Sequence, residues 1–142
     1  MRQISLLTKR HYECMGAVYE LSAGGWPARV KDVAKKLNVR PPTAVEFLGK
    51  LSQEGMVEKG PAGYRLTKKG SIELNRAIRT HRLMETLLAG AGVPLEEACR
   101  ISFSLGSEIG TEAVEALCSH LSHPVTCPHG RPIPAGDEFD RP

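Results

Sequence analysis

His81 and Glu85 stand four residues apart in the stretch THRLMET, a spacing that places both side chains on one face of a helix. An imidazole and a carboxylate in this arrangement can bind a transition metal, although the same pair is common on solvated helix surfaces. Leu74, Ile78 and Leu88 extend the spacing of three and four residues around the pair. The pair therefore lies in an apolar stripe, where uncompensated polar groups would be costly, and the rest of the chain must decide between a metal site and a surface pair.

The cysteines are a second set of candidate ligands. They form no CxxC motif and no regular disulfide framework, and they are Cys14, Cys99, Cys118 and Cys127. Each of them could also be a small buried hydrophobic residue. Charged residues soon interrupt the apolar N-terminus, so we expect no secretion signal and a reducing cytoplasm that keeps the thiols free or metal-bound. No run of about 18 apolar residues occurs, and no membrane contact is expected.

Charge is divided unequally along the chain. Residues 1–82 contain 16 Lys and Arg against 7 Asp and Glu, whereas residues 83–142 contain 3 against 9. The overall formal charge of +3 conceals this division. A basic N-terminal half indicates a polyanionic partner, for which nucleic acid is the leading candidate.

Hydrophobic periodicity predicts a mainly α-helical chain with one small β-hairpin. Two short extended runs flank GPAG and form the predicted hairpin. Prolines 41 and 42 suit the first turn of a helix, where the missing N–H needs no partner, and Thr67 can cap the long fourth helix. The predicted helices cover about residues 5–22, 31–37, 42–54, 68–90, 94–103 and 111–121, and residues 123–142 form a proline-rich strap with a loose end.

Helix, turn, helix and hairpin together predict a winged helix-turn-helix domain. In the third helix, Ala44, Phe47, Leu48 and Leu51 follow the spacing of a core-facing side. The opposite side can enter a major groove, and it presents Pro42, Thr43, Val45, Glu46 and Lys50.

Specific contacts can be assigned to this outer face. Thr43 could donate to a phosphate or base, Val45 could touch a thymine methyl, and Glu46 could accept from cytosine N4. The basic side chains expected to hold phosphates are Arg29, Lys31, Arg40, Lys59 and Arg65. The alternative is a winged-helix adaptor that uses the same surface to bind another protein.

Several segments together resemble the diphtheria toxin repressor family of metal-dependent bacterial repressors. The resemblance runs from about Tyr12 to Pro134 and includes VYEL, RVKDVAKKLNVRPPT, LSQEGMVE, RLTKKG, HRLMETLL and HPVTCPHGRPIP. It implies a homodimer that binds double-stranded operator DNA through residues 1–74 and uses residues 75–142 as a helical dimerisation and metal- or cluster-sensing domain. Longer members add an SH3-like domain, and we expect the two-domain form here.

The resemblance also implies a ligand set for Fe²⁺ or Mn²⁺. His81 and Glu85 match the ligands of the family's fourth helix, and Glu13 stands where the first helix supplies Met or Asp. An ungapped register from Pro94 to Pro124 puts Cys99 in the place of an early histidine of the fifth helix. The implied metal ligands are thus Glu13, His81, Glu85 and Cys99.

Part of the usual family site is missing. In the ungapped register the later ligand positions hold Phe103, Gly106 and Ser107. A rival register, which matches EEACR to relatives, makes Cys99 the later cysteine and puts Leu95 at the histidine position, with Ser102 and Phe103 over the Glu-His pair. Both registers lack that pair.

Three functional hypotheses follow. The first is a metal-responsive transcriptional repressor of iron or manganese homeostasis. The second is the same regulator with an iron–sulfur cluster or thiol redox signal, through Cys14, Cys99, Cys118 and Cys127. The third is the protein-binding adaptor. A thiol or metal enzyme that uses Cys99 or the Cys127/His129 pair is a further alternative, but we expect no enzyme. A nucleophilic thiol needs an adjacent base and a lowered pKa, and Cys127 and His129 lie two residues apart in a proline-rich loop with no apparent third orienting group.

Overall fold

A computed structural model describes residues 7–106 and 108–135 of the 142-residue chain. These residues form six helices and a two-stranded antiparallel hairpin, which confirms the predicted fold class. They divide into an N-terminal unit, Leu7–Leu74, and a C-terminal unit, the described part of Asn75–Pro142. The elements are α1 Lys9–Ser22, α2 Val30–Leu37, α3 Pro41–Gln53, β1 Val57–Gly60, β2 Gly63–Leu66, α4 Lys68–Gly90, α5 Leu95–Gly106 and α6 Thr111–His120.

The start of the first helix was predicted too early. Thr8 has an extended backbone, with φ −91° and ψ 172°, and α1 begins at the next residue. The backbone N–H of Thr8 donates to His11 Nδ1 at 3.0 Å, and its hydroxyl lies 2.8 Å from the same atom. This local capping arrangement overrides the apolar periodicity that includes Leu7, which is buried but not helical. Residues 5 and 6 of the predicted helix lie outside the described residues.

The turn between α2 and α3 has clear sequence causes. Asn38 adopts the left-handed conformation, with φ 54° and ψ 47°, which asparagine tolerates better than most residues. Pro41 and Pro42 occupy the first turn of α3, one residue earlier than the predicted start. The core beneath them is apolar and includes Met15, Val18, Val33, Ala44, Leu48 and Leu51, while Phe47 is half-buried against His11.

The hairpin forms the wing and is joined by a third short extended segment. Val57 pairs with Leu66 and Gly60 with Gly63, as the GPAG turn predicts. Ala28 adds a bridge to Tyr64, with reciprocal N–H···O distances of 2.8 Å. The wing is therefore fixed to the segment that precedes α2.

The C-terminal unit begins within α4, whose bounds coincide with the predicted 68–90. Thr67 caps the helix as predicted, because its hydroxyl oxygen accepts from Gly70 N–H at 2.9 Å. Helices α5 and α6 lie within one to three residues of their predicted bounds. A hydrophobic cluster of this unit contains Leu83, Val114 and Cys118, with Ile109, Leu117, Leu121 and Ile133 packed against them.

Residues 123–135 form an irregular strap with one bridge, between Thr126 and Pro132. Residues 136–142 of the predicted strap lie outside the described residues. Within the described ranges, none of the helices combines the length and apolar character that a bilayer crossing requires.

The buried thiol of Cys14 supplies a stability test. Its side chain is 0% exposed, and burial raises the pKa of the thiol from 9.0 to about 12, against an opposing effect of Arg10. The unfolded chain therefore ionises first, and the stabilisation present below pH 9.0 is lost as the pH approaches 12. We expect the free energy of unfolding to fall by about 1.4 kcal/mol per pH unit in this window.

Chemical denaturation of the wild type and Cys14→Ala at several pH values isolates this contribution from other titrating groups. The difference in unfolding free energy between the two proteins should be constant below pH 9.0. Above pH 9.0 the wild type should lose stability relative to Cys14→Ala. A difference that stays constant to pH 11 would contradict the buried, neutral thiol.

Candidate metal centre and DNA-binding face

Glu85 is a buried carboxylate in the middle of α4, with 1% of its side chain exposed. Its Oε2 lies 3.1 Å from His81 Nε2, and its Oε1 lies 2.6 Å from His129 Nδ1. A carboxylate removed from water needs compensating charge or hydrogen bonds. The two imidazoles supply those contacts, so the His81/Glu85 pair is not a solvated surface pair.

The first donor group contains His81, Glu85 and Cys99. Cys99 reaches the group from α5, and its Sγ lies 3.6 Å from His81 Nε2. The possible ligand atoms of the three residues lie within 4.8 Å of one another. The Phe103 ring packs beside the imidazole of His81, with centroids 5.4 Å apart. Cys99 is one of the predicted ligands, and its role as a ligand stays a prediction.

A second donor group shares the same carboxylate and contains Glu85, Cys127 and His129. These ligand atoms also lie within 4.8 Å of one another. The stretch Cys-Pro-His-Gly forms a tight turn, in which Gly130 N–H donates to Cys127 O at 2.8 Å. Sequence reasoning did not place His129 at a metal site. A cysteine and a histidine two residues apart were the available signal, but nothing in the sequence located the strap beside α4.

Two arginines of α4 hold the strap in place. Arg79 Nη1 donates to Pro134 O at 2.8 Å, and its Nη2 pairs with Glu115 at 3.1 Å. Arg82 donates to Pro132 O. Burial lowers the pKa of the Arg82 guanidinium, and the nearby Cys127 thiol opposes that shift. Helix α4 thus both binds the strap and carries the central carboxylate.

Glu13 is the remaining predicted metal ligand, whereas Ser102 and Ser107 only stand at later ligand positions of the two registers. Glu13 lies in the N-terminal unit, where its Oε2 is 2.6 Å from Arg10 Nη1, and its role as a ligand stays a prediction. Ser102 is fully buried, and its hydroxyl donates to Ala98 O at 2.5 Å. Ser107 lies outside the described residues.

The cysteines are dispersed among different environments. Cys14 belongs to the core of the N-terminal unit, and Cys118 lies in the C-terminal hydrophobic cluster with its Sγ 3.5 Å from His123 Nδ1. In the described part of the C-terminal unit, each donor group contains one cysteine, Cys99 or Cys127. These contacts lend no support to a four-cysteine cluster.

The predicted DNA-binding side chains lie on the surface of the N-terminal unit. Val45 is 49% exposed, although it is an apolar residue. Pro42 and Glu46 are also exposed, and Thr43 and Lys50 are half-buried. The predicted phosphate-binding residues are all exposed, namely Arg29, Lys31, Arg40, Lys59 and Arg65.

Several of these basic groups have partners within the protein. Arg29 Nε lies 2.8 Å from Asp32 Oδ2, and Lys50 Nζ lies 3.2 Å from Glu54 Oε1. Arg65 donates to a backbone carbonyl, that of Gly25. Exposed ion pairs are weak, so phosphate groups can compete for these side chains. Their roles towards DNA stay predictions.

Two protein-family models match the chain in succession. The model described as "Iron dependent repressor, N-terminal DNA binding domain" matches residues 7–63. The model described as "Iron dependent repressor, metal binding and dimerisation domain" matches residues 67–135. The second match includes both donor groups.

Individual relatives agree with these matches. An uncharacterised HTH-type transcriptional regulator of Aeropyrum pernix is 32% identical over 92% of this chain and 73% of its own length. The diphtheria toxin repressor of Corynebacterium jeikeium is 31% identical over 86% of this chain, which spans about half (52%) of that relative. The structure of the manganese regulator SloR has a TM-score of 0.74 and 33% identity, covering 94% of this chain and 62% of SloR.

Proposed function

Because the chain belongs to the iron-dependent repressor family, we propose that it is a metal-responsive repressor of iron or manganese homeostasis. It acts as a cytoplasmic homodimer on double-stranded operator DNA, with residues 1–74 binding DNA and residues 75–142 sensing metal. Members of this family are DNA-binding regulators and not enzymes, so the prediction of a non-enzymatic protein is confirmed. The cluster-sensing and adaptor hypotheses are not favoured by this family.

The observation that carries the proposal is the buried carboxylate of Glu85 between two imidazoles and two thiols. A divalent cation would compensate the carboxylate charge and replace the protons that its hydrogen bonds now share. The residues that could hold such a cation form two groups around Glu85, one with His81 and Cys99 and the other with Cys127 and His129. These donors suit a divalent transition metal, although the usual Glu-His pair of the family is absent.

The thiol ligands influence which metal ion the site prefers. Thiolate and imidazole ligands suit iron and zinc, whereas manganese prefers oxygen ligands. We propose Fe²⁺ as the physiological ion and expect Mn²⁺ to bind more weakly. The metal supplies charge and cross-links between α4, α5 and the strap.

Metal and DNA binding are coupled by linkage in this proposal. An effector that favours the DNA-binding arrangement raises operator affinity, typically by about 5–150-fold. Half-site spacing in helix-turn-helix dimers is set by the separation of the two recognition helices. Ions bound within the C-terminal unit would favour the dimer arrangement that fits successive major grooves.

The experiment requires a DNA site selected from a random duplex pool by the Fe²⁺-loaded protein under anaerobic conditions. Affinity for that site is then measured with Fe²⁺ and with chelator. We expect an increase of about 5–150-fold with Fe²⁺. Equal affinities would overturn metal sensing but leave DNA binding intact.

The salt dependence of the same binding tests the phosphate contacts. Lys59→Ala should lower the slope of log affinity against log salt by about one for each protomer bound. Lys36→Ala is the matched control, because this lysine pairs with Glu20 at 2.5 Å and lies outside the predicted face. A salt slope near zero in the wild type would instead favour the adaptor hypothesis.

A further inference from the structure

The two oxygens of Glu85 face two different sets of donors. Oε2 lies beside His81 Nε2, with the Cys99 thiol 3.6 Å from the same nitrogen. Oε1 lies beside His129 Nδ1, with the Cys127 thiol in the same group. Each oxygen therefore contacts one imidazole, and each imidazole belongs to a donor group that contains one thiol.

The distances separate these donors into two sets of three. Metal–sulfur and metal–nitrogen bonds of about 2.0–2.3 Å allow two ligand atoms of one ion to stand up to roughly 4.6 Å apart. In each set, the ligand atoms lie within 4.8 Å of one another. Among the described residues, the five donors are grouped as these two sets and not as a single one. A small shift of the side chains would close either set around an ion.

We propose that Glu85 bridges two divalent transition-metal ions, one held with His81 and Cys99 and the other with Cys127 and His129. This inference rests on the proposed metal-sensing function and specifies how its site is built. A carboxylate can use its two oxygens as ligands of two ions.

The two proposed ions would link different segments of the chain. The first ion joins α4 to α5 through residues of those helices. The second joins α4 to the strap, whose Cys-Pro-His-Gly turn is already closed by the Gly130–Cys127 hydrogen bond. Arg79 and Arg82 of the same helix donate to the carbonyls of Pro134 and Pro132, which follow this turn in the strap. The second position is therefore organised before an ion binds.

Anaerobic titration with Co²⁺ tests the bridge, because thiolate-to-cobalt charge-transfer absorption reports each Co–S bond. Bound metal per chain is measured in parallel after removal of excess ion. The wild type should bind two ions per chain. Cys99→Ala and Cys127→Ala should each bind about one ion and retain about half of the absorption.

Cys118→Ala is the matched control, since Cys118 is a buried cysteine of the same unit that belongs to neither donor group, and it should still bind two ions. His129→Gln provides a second test of the strap position. Its side chain is 40% exposed, so the substitution should leave folding intact and bind one ion.

One ion per chain in the wild type, or two ions in both half-site variants, would overturn the bridge. If one ion binds and still raises operator affinity, the bridge fails while the proposed function stands. Two bound ions with unchanged operator affinity would support the bridge and overturn the proposed regulation.

Discussion

Replacement of Glu85 by glutamine should lower the affinity for Fe²⁺ by at least about 100-fold and remove the metal-dependent gain in operator affinity. Changes outside the ligand shell already cost about 10–100-fold, and Glu85 is the ligand common to both donor groups. Glutamine keeps the size of the side chain and one acceptor oxygen, replaces the other oxygen by an NH2 donor, and removes the anionic ligand. The loss of affinity should therefore arise from metal ligation and not from a packing defect.

Thermal unfolding with and without metal separates these causes. In chelator, Glu85→Gln should be as stable as the wild type or more stable, because it removes a buried charge. Addition of Fe²⁺ should stabilise only the wild type, since a ligand stabilises the folded state that binds it. Glu115→Gln is the control, as it removes a carboxylate of the same unit that pairs with Arg79. Unchanged Fe²⁺ affinity in Glu85→Gln would contradict the assigned centre.

Gly70→Ala should destabilise the protein by about 3 kcal/mol or more, although Gly-to-Ala changes within helices usually stabilise by up to about 1 kcal/mol. A Cβ atom at Gly70 would lie 1.9 Å from Met56 O and 2.8 Å from Met56 C. The Met56 carbonyl cannot move freely, because it also accepts from the Thr67 N–H at 3.0 Å. Relief of the clash would thus disturb the cap of α4 and the base of the wing together.

Urea denaturation measures this effect, with Gly49→Ala in α3 as the matched helical control. A Cβ atom at Gly49 meets no atom within 4 Å, so that variant should gain about 0.5–1 kcal/mol. A Gly70→Ala protein at least as stable as the wild type would show that the first turn of α4 does not approach Met56 this closely.

Local signals made much of the fold predictable from the sequence. Pro41 and Pro42 fix the start of α3 because their ring geometry suits a first turn, and Thr67 fixes the start of α4 through its side-chain cap. The start of α1 was missed because Leu7 continues the apolar pattern. The contact between Thr8 and His11 makes Thr8 the N-cap, so that α1 begins at Lys9 and does not include Leu7.

The candidate metal centre was only half predictable for a related reason. His81 and Glu85 share a helix face by spacing alone, and the family resemblance added Cys99. His129 is 44 residues from Glu85 in the chain, and a proline-rich strap has no periodicity from which its position can be inferred. Its contact with Glu85 depends on tertiary packing, through hydrogen bonds from α4 to strap carbonyls.

The coupling between metal and operator binding is measured most directly as the Fe²⁺ affinity of the protein alone and of its complex with the selected operator. Linkage requires that DNA raise Fe²⁺ affinity by the same factor by which Fe²⁺ raises DNA affinity. We predict a gain of about 5–150-fold in the complex, and its absence in the complex of Glu85→Gln. The same Fe²⁺ affinity with and without operator DNA would contradict a metal-controlled repressor.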